Sequence, residues 1–169
     1  MKAVRALRGP IVVIAAAVAL GVSGCATADT AAIVNGHTIS EREAQEAARQ
    51  IQEAQPDSGF DTPSAVTNLI MAQFINEVAD KSGKGLSDSA ARAAVDTIDD
   101  PSPATLELVK ASVAWNNLSS GERNEAVADA QKAKITINPR YGTLDAKTMQ
   151  FGVSKPNWIK AQPTATPAG

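Results

Sequence analysis

Apolar residues recur at the three- and four-residue spacing of amphipathic helices through most of the chain between residues 40 and 133. The first helix is predicted from Ser40 to about Ala54, because Ser40 and Glu43 have the spacing of a capping box, in which each side chain satisfies a free backbone amide. Its buried stripe is made mainly of small residues, namely Ala44, Ala47, Ala48, Ile51 and Ala54. Such a helix can lie close against a neighbour, but it depends on that neighbour for its stability.

The second predicted helix carries more apolar surface than any other in the chain. Thr62 is its expected cap and Pro63 its first helical residue, since the missing proline amide costs nothing at that position. The helix should end between Lys81 and Gly85, where Gly83 and Gly85 offer left-handed C-caps. Its stripe favours the centre of the core, although the surplus width also fits a groove for a partner. The apolar positions are Val66, Leu69, Ile70, Met71, Phe74, Ile75 and Val78.

Three further helices are predicted downstream. They extend from Ala90 to Ile98, from Pro103 to about Leu118, and from about Ser119 to Ala133. Ser87 is the expected cap of the first of these helices, and Ser119 with Glu122 repeats the capping box at the start of the last. A segment rich in proline, Asp99 to Pro103, separates the first of the three from the second.

Two short segments that flank the helical region have the pattern of β-strands. Ala31 to Asn35 precedes the helices and ends on the Asn35-Gly36 turn signal, and Lys134 to Asn138 follows them with two β-branched isoleucines. Because a lone strand leaves half of its backbone groups unpaired, we expect these two segments to pair with each other. The predicted fold is therefore mainly α, with about five helices closed by a short two-stranded β-element.

The first 24 residues have the three zones of a secretory signal peptide. Basic residues precede an apolar run from Ile11 to Val22, which is shorter than the roughly 20 residues of a transmembrane helix. The sequence Val22-Ser23-Gly24-Cys25 resembles the lipobox of bacterial lipoproteins, and Cys25 is the only cysteine in the chain. We expect a covalent diacylglycerol on Cys25 that anchors the protein to the extracytoplasmic face of the cell membrane. An uncleaved N-terminal anchor, or a secreted protein with a spare thiol, is the alternative.

After the signal peptide the chain divides into a tether, a domain and a tail. Residues 25–30 are the small, polar tether, residues 31–160 are the predicted helical domain, and residues 161–169 are expected to be disordered. The residues that follow Gly142 are predicted to wrap back over the helices, with Trp158 as the main anchor. Removal of the signal peptide leaves 13 basic against 18 acidic side chains, a net charge of −5, so no basic surface is expected for nucleic acid.

Residues suited to catalysis are scarce. His37 is the only histidine, which excludes a histidine-dependent triad and a multi-histidine metal site. Acidic pairs such as Glu41 with Glu43 stand at helix starts, where they offset the helix dipole. No glycine-rich phosphate loop follows a predicted strand. We therefore expect no enzymatic activity, and no cofactor other than the lipid on Cys25.

The order and spacing of four segments resemble a known domain. The segments are Val34-Asn35-Gly36 with Ile39-Ser40, Thr62-Pro63, Gly85-Leu86-Ser87-Asp88, and Ile137-Asn138-Pro139-Arg140-Tyr141-Gly142. Together they resemble the N-terminal chaperone domain of the SurA and PrsA foldases, and more closely the small actinobacterial lipoproteins that carry this domain alone. The resemblance covers most of residues 31–145. It implies a helical domain, closed by a small β-element, that holds apolar segments of unfolded or secreted proteins.

The resemblance also has a consequence for catalysis. In the foldases, prolyl isomerase activity belongs to a separate parvulin domain inserted between the helical parts. Residues 99–133 here have the pattern of two helices after a proline-rich break, without the strands and the catalytic cluster of a parvulin. The resemblance therefore implies no isomerase activity for this chain.

Two functions from different classes are predicted. The first is a membrane-tethered, chaperone-like holdase that binds apolar segments of unfolded or exported polypeptides, with no nucleic acid partner. Its predicted polypeptide-binding residues are Leu69, Ile70, Met71, Phe74, Val78 and Trp115. The second is a structural or adaptor lipoprotein that binds one folded envelope partner. Exposure of any of Leu69, Ile70, Met71 and Phe74 beside an open cleft would favour the holdase, and burial of all four would favour the adaptor.

Overall fold

The computed structural model describes residues 29–145 and 147–152 of the 169-residue chain. The predicted signal peptide, the predicted lipid-attachment site Cys25, and most of the predicted tether lie outside the described residues. Trp158 and the predicted tail lie outside them as well. Residues 29–145 and 147–152 carry the fold and the candidate site.

The described residues form five α-helices, two short 3₁₀ turns and five short strands. The helices are α1 (Glu41–Ala54), α2 (Thr62–Lys81), α3 (Asp88–Ala94), α4 (Pro103–Asn117) and α5 (Ser120–Lys132). The strands are β1 (Thr30–Val34), β2 (His37–Ser40), β3 (Ile135–Ile137), β4 (Thr143–Asp145) and β5 (Gln150–Gly152). The predicted class, mainly helical with a small β-element, is confirmed. Across the described ranges, no helix combines the length and the apolar character needed to cross a bilayer.

The β-element joins the two ends of the helical region, as expected from the two flanking strand patterns. Strand β1 pairs antiparallel with β3, with Ala32 opposite Ile137 and Val34 opposite Ile135. The element has one more strand than predicted, because β1 also pairs with β2 and the order is β2-β1-β3. Asn35 and Gly36 both have positive φ, 51° and 88°, the backbone that lets a two-residue turn join β1 directly to β2.

Serine caps define several helix starts. The side chain of Ser40 accepts from the Glu43 amide and the Glu43 carboxylate accepts from the Ser40 amide, so the predicted capping box of α1 is present. The same reciprocal pair joins Ser119 and Glu122 at the start of α5. The predicted cap of α2 was wrong by one residue, since Asp61 accepts from the Ser64 amide and Thr62 is already helical.

The end of α2 depends on one left-handed glycine. Gly83 has φ of 70°, and its amide donates to the Asp80 carbonyl while the Lys84 amide donates to the Ala79 carbonyl. These two bonds are the Schellman arrangement that satisfies the last carbonyls of a helix. The second predicted cap, Gly85, does not have positive φ. A β-carbon at Gly85 would instead meet the Asp80 carboxylate at 1.9 Å, so this residue is small because the chain approaches α2 closely there.

Helix α2 is the centre of the core, with α1, α4 and α5 packed around it. Val66, Ile70, Phe74 and Val78 are all at most 5% exposed and form the buried face of α2. The neighbouring helices contribute many buried alanines to this core, and such small side chains allow helix axes to approach closely; they include Ala44, Ala47, Ala111, Ala126 and Ala130. The core interpretation of the wide apolar stripe is confirmed for these four residues of α2.

Two elements after the second helix differ from the sequence prediction. Helix α3 ends at Ala94, four residues before the predicted end, and Val95 to Ile98 form a turn closed by a bond from the Ile98 amide to the Val95 carbonyl. The segment after Gly142, for which no strand was predicted, contains the antiparallel β4-β5 hairpin. Met149 and Phe151 from this hairpin pack against the core, so a terminal segment does return to the helices.

Candidate functional site

An open cleft of about 710 Å³ lies between the C-terminal part of α1, one face of α2, and helix α4. The turn after α3 closes one side of it. Its lining consists of Ile51, Ala54, Gln55, Phe60, Asn68, Met71, Ile75, Ala94, Val95, Ile98, Leu108, Val109, Ala111, Ser112, Val113, Trp115 and Asn116. The volume lies in the range of pockets that bind small ligands or a short stretch of another chain.

The described lining of the cleft is largely apolar and carries no charge. Among the residues that the structure describes, no charged side chain lines the cleft, although one fifth of the chain is charged. Apart from the buried Leu108, the larger apolar side chains of the lining are neither buried nor fully exposed. These half-exposed apolar residues are Ile51, Phe60, Met71, Ile75, Val95, Ile98, Val109, Val113 and Trp115. A contiguous apolar surface of this kind is typical of a binding site.

The two long walls of the cleft come from the helical repeat of α2 and α4. Asn68, Met71 and Ile75 are three and four residues apart, so they share one face of α2. Leu108, Ser112 and Trp115 have the same spacing on α4. The cleft is therefore a groove between two helix faces, and α2 contributes to the core through one face and to the cleft through another.

The third wall of the cleft is the connection between α3 and α4, and a buried glutamine holds it in place. Gln50 is 6% exposed, and its side-chain N–H donates to the Asp100 carbonyl at 2.9 Å. Its side-chain oxygen accepts from the Ser102 amide at 2.9 Å and from the Thr105 hydroxyl at 2.5 Å. Because Ile98 lies two residues before Asp100, these bonds hold the connection between α3 and α4 against α1. Gln50 stood at an unremarkable position in the sequence, and its role follows only from the structure.

An ion pair holds α3 against α4 on the same side. The Lys110 ammonium lies 2.5 Å from the Asp88 carboxylate and 2.9 Å from the Glu107 carboxylate. Hydrogen bonding to Asp88 and then to Glu107 raises the pKa of Lys110 above its ordinary value. Lys110 on α4 is thus bound to the first residue of α3. Ala94, at the other end of this short helix, lines the cleft.

Trp115 is the largest side chain in the cleft, and it has a cation beside it. The guanidinium carbon of Arg123, on α5, lies 5.5 Å from the centroid of the Trp115 ring. This distance is within the range of a cation–π contact. The contact orients the indole ring at its end of the cleft.

The predicted polypeptide-binding residues divide into two groups. Leu69, Ile70, Phe74 and Val78 are between 0% and 7% exposed, because their faces of α2 pack on the neighbouring helices. Burial therefore removes these four as an open surface in this structure, which corrects that part of the prediction. The structure brings the other two, Met71 and Trp115, together in the cleft.

Most of the cleft residues were not singled out from the sequence. Val109 and Val113 are one turn apart on α4, and this spacing predicts an apolar stripe on that helix, but it did not assign them to a binding site. Phe60, Val95 and Ile98 lie in connections, where helical periodicity gives no information. Phe60 lies in the connection between α1 and α2, and Val95 and Ile98 lie in the connection between α3 and α4, so these residues reach the cleft because both connections fold towards it.

A smaller cavity of about 390 Å³ lies near β2 and the start of α4. His37, Glu43 and Glu107 are its titratable lining residues. Burial acts to raise the pKa of Glu43, but the Ser40 amide and hydroxyl hydrogen bonds outweigh it and the pKa is lowered. Within residues 29–145 and 147–152, no group of three histidine, cysteine, aspartate or glutamate side chains is placed to hold a metal ion. The hydrogen bonds of Glu43 serve the start of α1.

The chain was compared with protein families, with curated proteins and with solved structures, and no match was found in any of the three.

Proposed function

We propose that the protein is a membrane-tethered, chaperone-like lipoprotein that holds apolar segments of exported polypeptides in the cleft between α2 and α4. The observation that carries this proposal is the lining of the cleft, which combines half-exposed apolar side chains with an absence of charge among the described lining residues. An apolar segment that leaves water for such a surface gains about 25 cal/mol for each Å² buried. A charged or strongly polar ligand would lose its hydration there without compensation.

The few polar groups of the cleft suit a peptide backbone. Asn68 and Asn116 each donate one side-chain N–H to a carbonyl of their own helix. In the part of the chain that the structure describes, their side-chain oxygens accept no hydrogen bond, so these oxygens are available to amides of a bound segment. Pairing of this kind offsets the cost of removing backbone amides from water.

Met71 supports a binding site that accepts varied sequences. Its side chain is unbranched and polarisable, and it lies half-exposed in the middle of the α2 wall. Methionine adapts its shape to different neighbours more readily than branched residues do, which is why it is common at surfaces with several partners. A holdase that receives many exported polypeptides requires this adaptability.

The arrangement of tether and cleft is compatible with binding beside a membrane. Thr30, the first residue of β1, follows Cys25 by five residues, so a lipid on Cys25 would keep the start of β1 within about 18 Å of the anchor. Ile51, the first cleft residue of α1, lies ten residues after the start of this helix, or about 15 Å along its axis. The cleft therefore lies away from the N-terminal end of α1, which is the end that follows the anchored β-sheet.

Aggregation of a chemically unfolded client, followed by light scattering with the lipidated protein in nanodiscs, tests the proposal. We expect suppression at a modest molar ratio of protein to client. Met71→Glu places a charge in the cleft and should abolish most of the suppression, because burying that carboxylate opposes client binding. Asn124→Glu adds the same charge on an exposed position of α5 and should leave suppression unchanged.

Two results would contradict the holdase. One is the absence both of suppression and of binding to any member of an apolar peptide library. The other is a crosslinked membrane preparation that yields one stoichiometric folded partner in place of a spread of clients, which would identify an adaptor. Thermal unfolding of Met71→Glu checks that the variant keeps its fold.

Membrane attachment is tested separately from client binding. Cys25→Ala removes the only thiol of the chain, so we expect the protein to lose lipid labelling and to leave the membrane or remain unprocessed. Labelling with a radioactive fatty acid and fractionation of the membranes measure this result. Unchanged labelling of the variant would refute lipid attachment at Cys25.

A further inference from the structure

Within the described residues, Arg123 is a cation without a carboxylate partner, and it lies beside the uncharged cleft. It is half-buried on α5, and its guanidinium group lies against the ring of Trp115, which lines the cleft. The preceding residue, Glu122, does not neutralise it, because the Glu122 carboxylate is bound to the Lys84 ammonium at 2.5 Å and to the Ser119 amide and hydroxyl.

No acidic side chain outside the described residues is available as a partner for Arg123. All 18 acidic side chains of the protein lie between Asp29 and Asp145, within the described residues. In that range, none of them forms an ion pair with Arg123 at 4.0 Å or less. The Arg123 Nε atom is buried and, among the described residues, has no hydrogen-bond partner.

A half-buried guanidinium group of this kind is suited to a carboxylate. Its central carbon lies 5.5 Å from the centroid of the Trp115 ring, a cation–π distance that places the group beside the end of the cleft. Hydrogen bonds from a guanidinium to a carboxylate are short and roughly twice as strong as those between neutral groups. The end of the cleft at Trp115 therefore has positive charge, whereas the rest of the described lining has none.

We propose that Arg123 binds a carboxylate of the client, so that the cleft selects apolar polypeptide segments flanked by an aspartate or glutamate. The proposal rests on the proposed function and names the class of segment that the cleft prefers. The apolar stretch lies between α2 and α4, and the acidic side chain reaches Arg123 past the edge of Trp115. Segments flanked by lysine or arginine are disfavoured by the same charge.

Three labelled peptides test this selection in fluorescence anisotropy with the lipidated protein in nanodiscs. They share one apolar core and differ only in a flanking glutamate, glutamine or lysine. We expect the glutamate peptide to bind about fivefold more tightly than the glutamine peptide, the size of a favourable partly exposed ion pair. The lysine peptide should bind most weakly. The preference should shrink as NaCl is raised from 0.05 M to 0.5 M, since salt screens the pair.

Matched arginine variants assign the preference to one side chain. Arg123→Gln should remove the difference between the glutamate and glutamine peptides. Arg42→Gln removes the same charge from an exposed position of α1 that does not line the cleft, and should keep the difference. Arg123→Lys keeps the charge but loses the planar contact with Trp115, and should retain part of the preference.

The outcomes separate this inference from the proposed function. Equal affinities for the three peptides in the wild-type protein overturn the selection by Arg123 and leave the holdase in place. Failure to bind all three, together with failure to suppress aggregation, overturns both. Displacement of the glutamate peptide by dodecanoate at comparable concentration would assign the carboxylate to a fatty acid and overturn the polypeptide as occupant. The salt dependence is measured on the wild-type protein, so the test holds even if a variant fails to fold.

Discussion

Two faces of α2 have similar composition but different surroundings. Val66, Ile70 and Phe74 face the alanine-rich sides of the neighbouring helices and are buried. Met71 and Ile75, on another face of the same helix, face the cleft and remain half-exposed. The difference arises from the neighbours: small side chains close tightly over one face, whereas α1, α4 and the turn after α3 stand apart over the other. One helix therefore provides both the core and the candidate binding wall.

The largest expected difference between the two faces is in stability, and truncating an isoleucine on each face measures it. Ile70→Ala removes a side chain that is 0% exposed and should lower the free energy of unfolding by about 2–5 kcal/mol, because it leaves a cavity. Ile75→Ala removes a half-exposed side chain and should cost less than about 1 kcal/mol. Urea denaturation of the two variants measures the difference.

Client binding should rank the two isoleucine variants in the opposite order. Ile75→Ala removes apolar surface from the cleft, so we expect weaker binding of an apolar peptide by a protein that is nearly as stable as the wild type. Equal destabilisation by Ile70→Ala and Ile75→Ala would show that the two faces are not distinct.

A smaller effect should come from the buried glutamine that holds the third wall of the cleft. Gln50→Leu leaves the Ser102 amide and the Asp100 carbonyl without their partner, and we expect a loss of about 2 kcal/mol in the free energy of unfolding. Amides of residues 95–100 should also exchange with deuterium faster than in the wild type, since this connection is no longer tied to α1.

Gln52→Leu is the matched control for the glutamine variant. Gln52 is exposed on α1, so its replacement should change neither the stability nor the exchange of residues 95–100. Unchanged exchange in Gln50→Leu would mean that the third wall of the cleft is held by other contacts, such as the Lys110–Asp88 pair.

The smallest effect concerns pH and the ion pair between Lys84, after the end of α2, and Glu122 in the first turn of α5. Hydrogen bonds from Lys84 and then from the Ser119 hydroxyl and amide lower the pKa of Glu122 from 4.5 to about 2. Because the pKa in the folded state is below that in the unfolded state, this contribution to stability is complete above about pH 4.5 and is lost as the pH falls towards 2. Urea midpoints measured between pH 7 and pH 2.5 should show that loss.

Glu122→Gln should weaken the pH dependence in that window. Glu125→Gln, an exposed position on the same helix, is the control and should keep it. A wild-type protein whose urea midpoint is constant between pH 4.5 and pH 2.5 would show that the Lys84–Glu122 pair does not stabilise the join between α2 and α5.

Sequence reasoning predicted the parts of the fold that depend on local chemistry. Ser40 with Glu43, and Ser119 with Glu122, mark helix starts because each capping box is complete within four residues. The pairing of β1 with β3 was predicted from the need of each strand for a partner. The capping boxes depend only on neighbouring residues. The pairing of β1 with β3 is the one long-range contact that the sequence predicted.

The remaining features depend on contacts that periodicity does not encode. The width of the α2 stripe was visible, but which residues face other helices is decided by the positions of α1, α4 and α5. Strands β4 and β5 have three residues each, like β3, but they lack the two β-branched isoleucines in alternation that marked β3 in the sequence. Met149 has φ of 52°, an uncommon backbone for a non-glycine residue that gives no signal in the sequence of the hairpin.

The order of the sheet has a mechanical consequence. Strand β1 is the central strand, bonded to β2 on one side and to β3 on the other, and it is also the strand that follows directly from the N-terminal segment. A pulling force applied to that segment enters the domain through β1 and is shared at once by both ladders of backbone hydrogen bonds. An edge strand in the same position would carry the load on one ladder and detach more easily. The domain is thus held at its N-terminal end by its best-connected strand.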